Sequence, residues 1–122
     1  MPRGTAPRDH QVSHSQSFPR IVSVVTDAGI TQAQLGQAVG SSLRTVQNWA
    51  KGDTTPTGAK VRRLLDLSFL IEELQTAYTE VGIQIWMNSR NRNLDGCRPI
   101  ELLTQGRIDE VLEEAQRISG AM

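Results

Sequence analysis

The sequence predicts an all-α protein, and two recurring patterns lead to this prediction. Apolar residues return every three or four positions from residue 18 to residue 118, which is the period of helices with one buried face. Ser or Thr stands where such segments begin and Gly where they end, as at Ser42 and Gly52. With only 4% aromatic residues, the core should consist of Leu, Ile, Val and Ala.

The most informative segment is residues 31–52, which read as two short helices joined by a tight turn. Thr31 and Gln34 have the spacing of a capping box at the start of the first helix. Gly40 suits the left-handed turn after it, and Ser42 can cap the second helix. Helical spacing turns one set of apolar side chains inward: Leu35, Ala38, Val39, Val46 and Trp49.

The second of these helices presents a face rich in hydrogen-bond donors. The outward residues are Ser42, Leu43, Arg44, Gln47, Asn48 and Lys51. Gln and Asn pair with adenine and Arg pairs with guanine in the major groove, so these residues are candidates for DNA binding. The alternative is a helical hairpin with a solvated polar face. The segment resembles the helix-turn-helix of Xre-type regulators, with its turn glycine, Ser cap and late Trp followed by Gly.

Charge is distributed unevenly although the formal net charge is zero. Residues 41–63 carry five basic side chains and one acidic side chain, whereas residues 64–122 carry five arginines and ten acidic residues. This asymmetry indicates a basic module joined to an acidic module, with partners of opposite character.

The flanking segments predict a tail, a first helix and a long central helix. Residues 1–17 are polar and should form a disordered tail, in which His10 and His14 have nothing to complete a metal site. Residues 18–28 contain a β-branched run that suits a strand or a helix, and we choose a helix because Gly29 follows it. A long helix should start near Pro56 and run to about Tyr78.

The long helix carries two apolar stripes. One consists of Val61, Leu64, Leu65, Ser68 and Ile71, and the other of Leu67, Leu70, Leu74 and Ala77. A helix that is apolar on two sides must be covered on both. We expect one stripe to complete the helix-turn-helix core and the other to meet the C-terminal segment or a second copy. We favour a contribution to a homodimer, because one helix-turn-helix reads one half-site. The alternative is burial of both stripes within one chain.

The remaining sequence predicts three shorter helices. Val81-Gly82 should interrupt the pattern before a helix at residues 83–87, and Pro99 should begin the next one. The last helix should span residues 107–118, with Asp109, Glu110, Glu113 and Glu114 on a solvated face.

The C-terminal half resembles the toxin-binding domain of Xre/MbcA/ParS antitoxins. The resemblance depends on Trp86, Leu94, Gly96, Pro99, Leu102, Leu103, Gly106 and Val111. With the helix-turn-helix it covers residues 18–118 and implies two domains, at residues 18–78 and 79–122. Many relatives end with an aromatic-Gly pair, where this chain has Ser119-Gly120.

This resemblance implies an antitoxin that binds and inhibits a RES-domain toxin, an enzyme that destroys NAD, and represses its own promoter by binding operator DNA. The implied toxin-binding residues are Trp86, Arg90, Arg92, Pro99, Leu102, Leu103, Ile118 and Gly120. For Trp86, Leu102 and Leu103, simple packing of the domain is an equal alternative.

Other classes of function remain as alternatives or are disfavoured. One alternative is a stand-alone dimeric transcription regulator, and a weaker one is a protein-binding module that no longer meets DNA. An enzyme is not expected, because the folded part has no His, no phosphate loop and no partner for the single cysteine, Cys97. We expect no cofactor, no membrane segment and a cytoplasmic location.

Overall fold

The computed structural model describes residues 17–120, which fold as an all-α protein, as predicted. Within this range there is no β-strand, only an isolated bridge between Asn91 and Cys97. A short 3-10 helix spans Arg92–Leu94. The helices are α1 Phe18–Asp27, α2 Gln32–Val39, α3 Leu43–Lys51, α4 Ala59–Gln75, α5 Glu80–Met87, α6 Pro99–Thr104 and α7 Ile108–Ile118.

The first helix confirms the choice of helix over strand for the β-branched run. The Ser17 hydroxyl oxygen accepts a hydrogen bond from the Arg20 backbone N–H at 3.3 Å, so Ser17 is a helix cap. Ile21, Val22 and Val25 on α1 are buried. The tail predicted for residues 1–17, with both histidines, otherwise lies outside the described residues.

The core is one continuous hydrophobic cluster with α4 at its centre. Helix α4 packs against α1, α2, α5 and α7, and α2 also packs against α6. Buried side chains from residues 18–78 and from residues 79–120 belong to the same cluster. Two polar contacts add to this connection: Gln84 donates to the Asp27 carbonyl at 3.2 Å, and the Ser119 hydroxyl donates to Glu73 at 2.8 Å.

Helix α4 corrects the interpretation of the two apolar stripes. It begins at Ala59 rather than near Pro56 and ends at Gln75. In the second stripe, Leu67, Leu70 and Leu74 are each 0% exposed, whereas Ala77 lies beyond the end of α4 and is exposed. These three leucines are therefore unavailable for a homodimer. Burial of both stripes within one chain is wrong as well, because Leu65 of the first stripe is 43% exposed.

Helix α5 is longer than predicted at its N-terminal end. The Thr79 hydroxyl accepts a hydrogen bond from the Gly82 backbone N–H at 3.1 Å and caps a helix that begins at Glu80. Gly82 thus lies inside α5, and the predicted interruption at Val81-Gly82 is wrong. Pro99 begins α6 as predicted. In the described part of the chain, none of the helices combines the length and apolar character needed to span a membrane.

Candidate nucleic-acid interface and partner surface

The turn between α2 and α3 is held by backbone hydrogen bonds to one carbonyl. The N–H groups of Gly40 and Ser41 both donate to the Gly36 carbonyl oxygen at 2.8 Å. Gly40 has φ of 84°, in the left-handed region that favours glycine. A Cβ on Gly36 would lie 2.6 Å from the Ser41 carbonyl oxygen, so the two helices approach each other closely at this glycine.

Both predicted helix caps of this motif are present. The Thr31 hydroxyl accepts from the Gln34 backbone N–H at 3.1 Å, and the Gln34 side chain accepts from the Thr31 N–H at 2.9 Å. The Ser42 hydroxyl accepts from the Thr45 N–H at 3.1 Å. These local contacts fix where α2 and α3 begin and therefore which face of α3 points outward.

Helix α3 is amphipathic in the sense that DNA recognition requires. Val46 and Trp49 anchor its inner face, with exposed fractions of 0% and 2%. Of the six predicted DNA-binding residues, all are exposed except the half-buried Asn48: Ser42, Leu43, Arg44, Gln47, Asn48 and Lys51. Ser42 precedes α3 as its cap, and the other five lie on the helix. This exposed side can present donor groups to base edges without disturbing the core.

Two basic side chains near this face already make contacts within the chain. Lys51 lies 3.5 Å from an Asp53 carboxylate oxygen in an exposed, weak ion pair. Arg63 donates through Nη1 to the Val39 carbonyl at 3.4 Å and so stabilises the C-terminal end of α2. Lys51 is therefore free to exchange Asp53 for a phosphate, whereas Arg63 supports the motif.

A second candidate surface is the groove between the 3-10 helix and α7. It has a volume of about 420 Å³. Its lining is predominantly acidic and consists of Asn93, Leu94, Asp95, Glu110, Glu113, Glu114 and Arg117. We call it the α7 groove. Arg92 is exposed on the 3-10 helix that forms one wall.

Glu114 holds the two walls of the α7 groove together. Its carboxylate accepts from Arg117 at 3.0 and 2.8 Å and from the Asn93 side-chain amide at 3.1 Å. The Arg117 hydrogen bonds, assisted by that of Asn93, lower the Glu114 pKa although burial opposes them. The prediction that Glu114 lies on a solvated face is wrong, because its side chain is 6% exposed.

Two further carboxylates of the C-terminal half are paired with arginines, one in the lining of the α7 groove and one on α6. Glu110 receives two 2.7 Å hydrogen bonds from Arg107, which lower the Glu110 pKa. Glu101 is likewise held below its ordinary pKa by the backbone and side chain of Arg98. In both pairs, the arginine partner stabilises the ionised carboxylate.

Three predicted toxin-binding residues are corrected by their burial. Pro99 is buried, and Leu102 and Leu103 are 2% and 1% exposed, so they form the core and cannot present a contact surface in this conformation. Trp86 is half-buried and packs against the core cluster. For Leu102 and Leu103, simple packing is the alternative that the structure supports.

The other predicted toxin-binding residues remain accessible in different degrees. Arg90 is exposed and donates to the Gly96 carbonyl at 3.1 Å, so it also braces the loop before α6. Arg92 and Gly120 are exposed, and Ile118 is half-buried. Arg92 and the acidic residues of the α7 groove lie together, whereas Arg90 makes its contact on the neighbouring loop.

The sequence did not predict that two pairs of apolar residues would be exposed. Val81 and Ile85 on α5 are 63% and 62% exposed, and Leu65 and Phe69 on α4 are 43% and 40% exposed. In each pair the residues are four apart and share one helix side. That spacing was visible in the sequence, but spacing alone does not distinguish a covered face from an open one.

The fold and the α3 face define a helix-turn-helix protein of the Xre-like type. In agreement, the sequence family described as Helix-turn-helix matches residues 25–67. The chain is also 34% identical over 102 residues to a probable mycobacterial cidal antitoxin, Rv3188, of Mycobacterium tuberculosis, covering 83% of this chain and 87% of that relative. The chain therefore belongs to the mycobacterial cidal antitoxin family.

Further relatives and one solved structure agree with this assignment. The mycobacterial cidal antitoxin MbcA of Mycobacterium bovis is 30% identical over 84 residues, which are 69% of this chain and 74% of MbcA. The fold matches a chain in the crystal structure of the M. tuberculosis MbcT–MbcA toxin–antitoxin complex with a TM-score of 0.68 and 25% identity, covering 88% of this chain and 97% of that one. Membership of an antitoxin family confirms that the chain is not an enzyme.

Proposed function

We propose that this chain is the antitoxin of a toxin–antitoxin pair and that it binds and inhibits a RES-domain toxin that destroys NAD. The observation that carries the proposal is the likeness to MbcA across both halves of the chain, including the structure of MbcA with its toxin MbcT. The resemblance of the C-terminal half to Xre/MbcA/ParS antitoxins supplies the class of toxin. We place this toxin binding in the cytoplasm.

The α7 groove and its rim are the surface we assign to toxin contact. The groove is acidic and preformed, because Glu114 joins its walls through Asn93 and Arg117. Such a surface favours basic side chains on the partner, whose charge it can neutralise. Arg92 on the rim and Ile118 and Gly120 at the end of α7 would extend the contact.

The helix-turn-helix half supports operator binding by a homodimer. Its exposed α3 face carries Arg44, Gln47 and Lys51 in a basic segment, and one such helix covers a single half-site. Binding of operator DNA would let the antitoxin repress its own promoter.

Toxin binding is tested by co-expression of the chain with a RES toxin encoded next to it. We expect rescue of growth and co-purification of the two proteins. Charge reversal in the groove, by Glu113→Lys, should weaken both, since its side chain is exposed and its loss does not disturb the core. Arg44→Ala is the matched control, because it lies on the DNA face and should leave rescue unchanged.

The alternative function is a stand-alone dimeric transcription regulator. The Helix-turn-helix match at residues 25–67 favours it, since that motif is common to many regulators. A chain that binds its operator but neither protects cells from a neighbouring RES toxin nor co-purifies with it would establish this alternative and refute the antitoxin proposal.

A further inference from the structure

Helix α4 has an outer face that residues 17–120 cover only in part. Its inner side is buried through Leu64, Leu67, Leu70, Ile71 and Leu74, each 0% exposed. On the opposite side, Leu65 and Phe69 are 43% and 40% exposed, and Arg62 and Glu72 flank them. The Arg62 side chain is 83% exposed, and its contact with Asp66 is long, at 3.8 Å. We call these four residues the α4 seam.

The residues of the α4 seam have the spacing of a coiled-coil contact. Arg62, Leu65, Phe69 and Glu72 follow one another at intervals of three, four and three, which places them in one row along the helix. Such a row gives the outer side of α4 a narrow apolar strip with a charge at each end, which a second helix can cover.

The order of residues in the seam is complementary to itself when the helix is reversed. Arg62 and Glu72 are equally far from Leu67, on opposite sides of it, and so are Leu65 and Phe69. Two antiparallel copies of α4 could be related by a two-fold axis that meets the seam at the height of Leu67 along the helix. They would then set Arg62 against Glu72 and Leu65 against Phe69, twice each. Parallel copies would instead set Arg62 against Arg62 and Glu72 against Glu72.

From this pattern we infer that the α4 seam is the surface through which two copies of this chain associate, with their α4 helices antiparallel. The occupant is a second copy because the charges match under the two-fold operation that a homodimer imposes. The inference deepens the proposed dimeric operator binding and rests on it. Of the two apolar stripes of α4, only the first contributes to this contact, through Leu65.

The first test measures the oligomeric state of the purified chain alone, by sedimentation velocity over a wide range of protein concentration. We expect a monomer–dimer equilibrium for the natural chain and a monomer for Leu65→Ser combined with Phe69→Ser. Both side chains are substantially exposed, so the variant should keep its fold, which circular dichroism checks. Val81→Ser combined with Ile85→Ser is the matched control on α5 and should still dimerise.

The second test exchanges the seam charges. Arg62→Glu alone and Glu72→Arg alone should each raise the dimer Kd about fivefold or more, because two attractive pairs become repulsive. The combined variant should return to within about twofold of the natural Kd, since the pairs are restored with reversed sign. Such a restoration has no explanation in the stability of a single chain.

The inference would be overturned by a natural chain that stays monomeric, a seam variant that still dimerises, or a combined charge variant that fails to recover. Dissociation caused by the α5 control would also overturn it, since α5 would then form the contact. Toxin rescue is measured separately in cells. A normal dimer without rescue would refute the antitoxin proposal and leave the α4 seam established.

Discussion

At the scale of single residues, Glu114 is a charged side chain that stabilises the fold, although the neighbouring acidic residues of α7 are exposed. It is the only buried charged residue within residues 17–120. Its carboxylate receives Arg117 from the next turn of α7 and Asn93 from the 3-10 helix. A buried carboxylate is costly unless its oxygens are satisfied, and these donors satisfy both of them.

We predict that Glu114 makes stability depend on pH in the acid range. Its pKa is lowered in the folded state, so its contribution is complete above the unfolded pKa and is lost as pH falls through the folded pKa. Glu114→Gln should lower the free energy of unfolding at pH 7 by about 1–2 kcal/mol and flatten its decline below about pH 4.5. Urea titrations at several pH values measure this, and Glu113→Gln, on the exposed face, should behave like the natural chain.

The α3 side chains should separate base reading from phosphate attraction. If Arg44 and Gln47 contact base edges, Arg44→Ala or Gln47→Ala should cost about 1–3 kcal/mol of operator affinity for each lost contact and reduce discrimination against altered operators. Fluorescence anisotropy with operator and mutated duplexes gives both quantities. Equal losses on every duplex would show that these side chains do not read bases.

Lys51 should act differently because it lies at the end of α3, near phosphate rather than base edges in the expected docking. Lys51→Ala should weaken all duplexes alike and lower the slope of log affinity against log salt by about one unit. The Asp53 partner is too exposed for its release to offset this loss. An unchanged salt slope would remove Lys51 from the proposed interface.

At the scale of elements, the sequence predicts best where the determinants are local. Thr31, Gln34, Gly40 and Ser42 act within a few residues of themselves, and the structure confirms each as a cap or turn residue. Pro56 failed as a helix start because the chain continues as a loop until Ala59. Gly82 failed as an interruption because the helix cap at Thr79 precedes it.

The close approach at Gly36 leads to a prediction about the α2–α3 turn. Ala is favoured over Gly in a helix by about 1 kcal/mol, so Gly36→Ala on propensity alone would stabilise the chain. Its Cβ would lie 2.6 Å from a backbone oxygen, and relieving such overpacking costs about 1–3 kcal/mol. We expect a net loss of stability and a lower Tm, while Gln37→Ala on the exposed side of α2 should change Tm little. A higher Tm for Gly36→Ala would show that the turn relaxes freely.

At the scale of the whole molecule, the sequence predicted which side of α3 is exposed better than it predicted which residues of the C-terminal half are exposed. The α3 face follows from helix period and two anchoring side chains, Val46 and Trp49, within one element. The partner surface depends on which apolar positions other elements cover. The apolar spacing of Leu102 and Leu103 is the same whether these residues contact a partner or the core. Only the packing of α6 against α2, α5 and α7 shows that they belong to the core.

The shared core predicts that residues 17–120 unfold as one unit although the charge pattern suggests two modules. Trp49 lies in the helix-turn-helix half and Trp86 in the C-terminal half, and both belong to or pack against one hydrophobic cluster. Trp86→Phe leaves fluorescence that reports on the first half, and Trp49→Phe leaves fluorescence that reports on the second.

In urea, each of these single-Trp variants should show a fluorescence midpoint that coincides with its own midpoint by far-ultraviolet circular dichroism, as a two-state transition requires. Comparing two signals within one variant removes the effect of the substitution on stability itself. Separate midpoints would mean that the halves unfold independently despite their common core. Coincident midpoints would mean that the two halves unfold together with a single free energy of unfolding. A substitution in the α7 groove or on the α3 face would then change the stability of both surfaces, which α4 connects through the shared core.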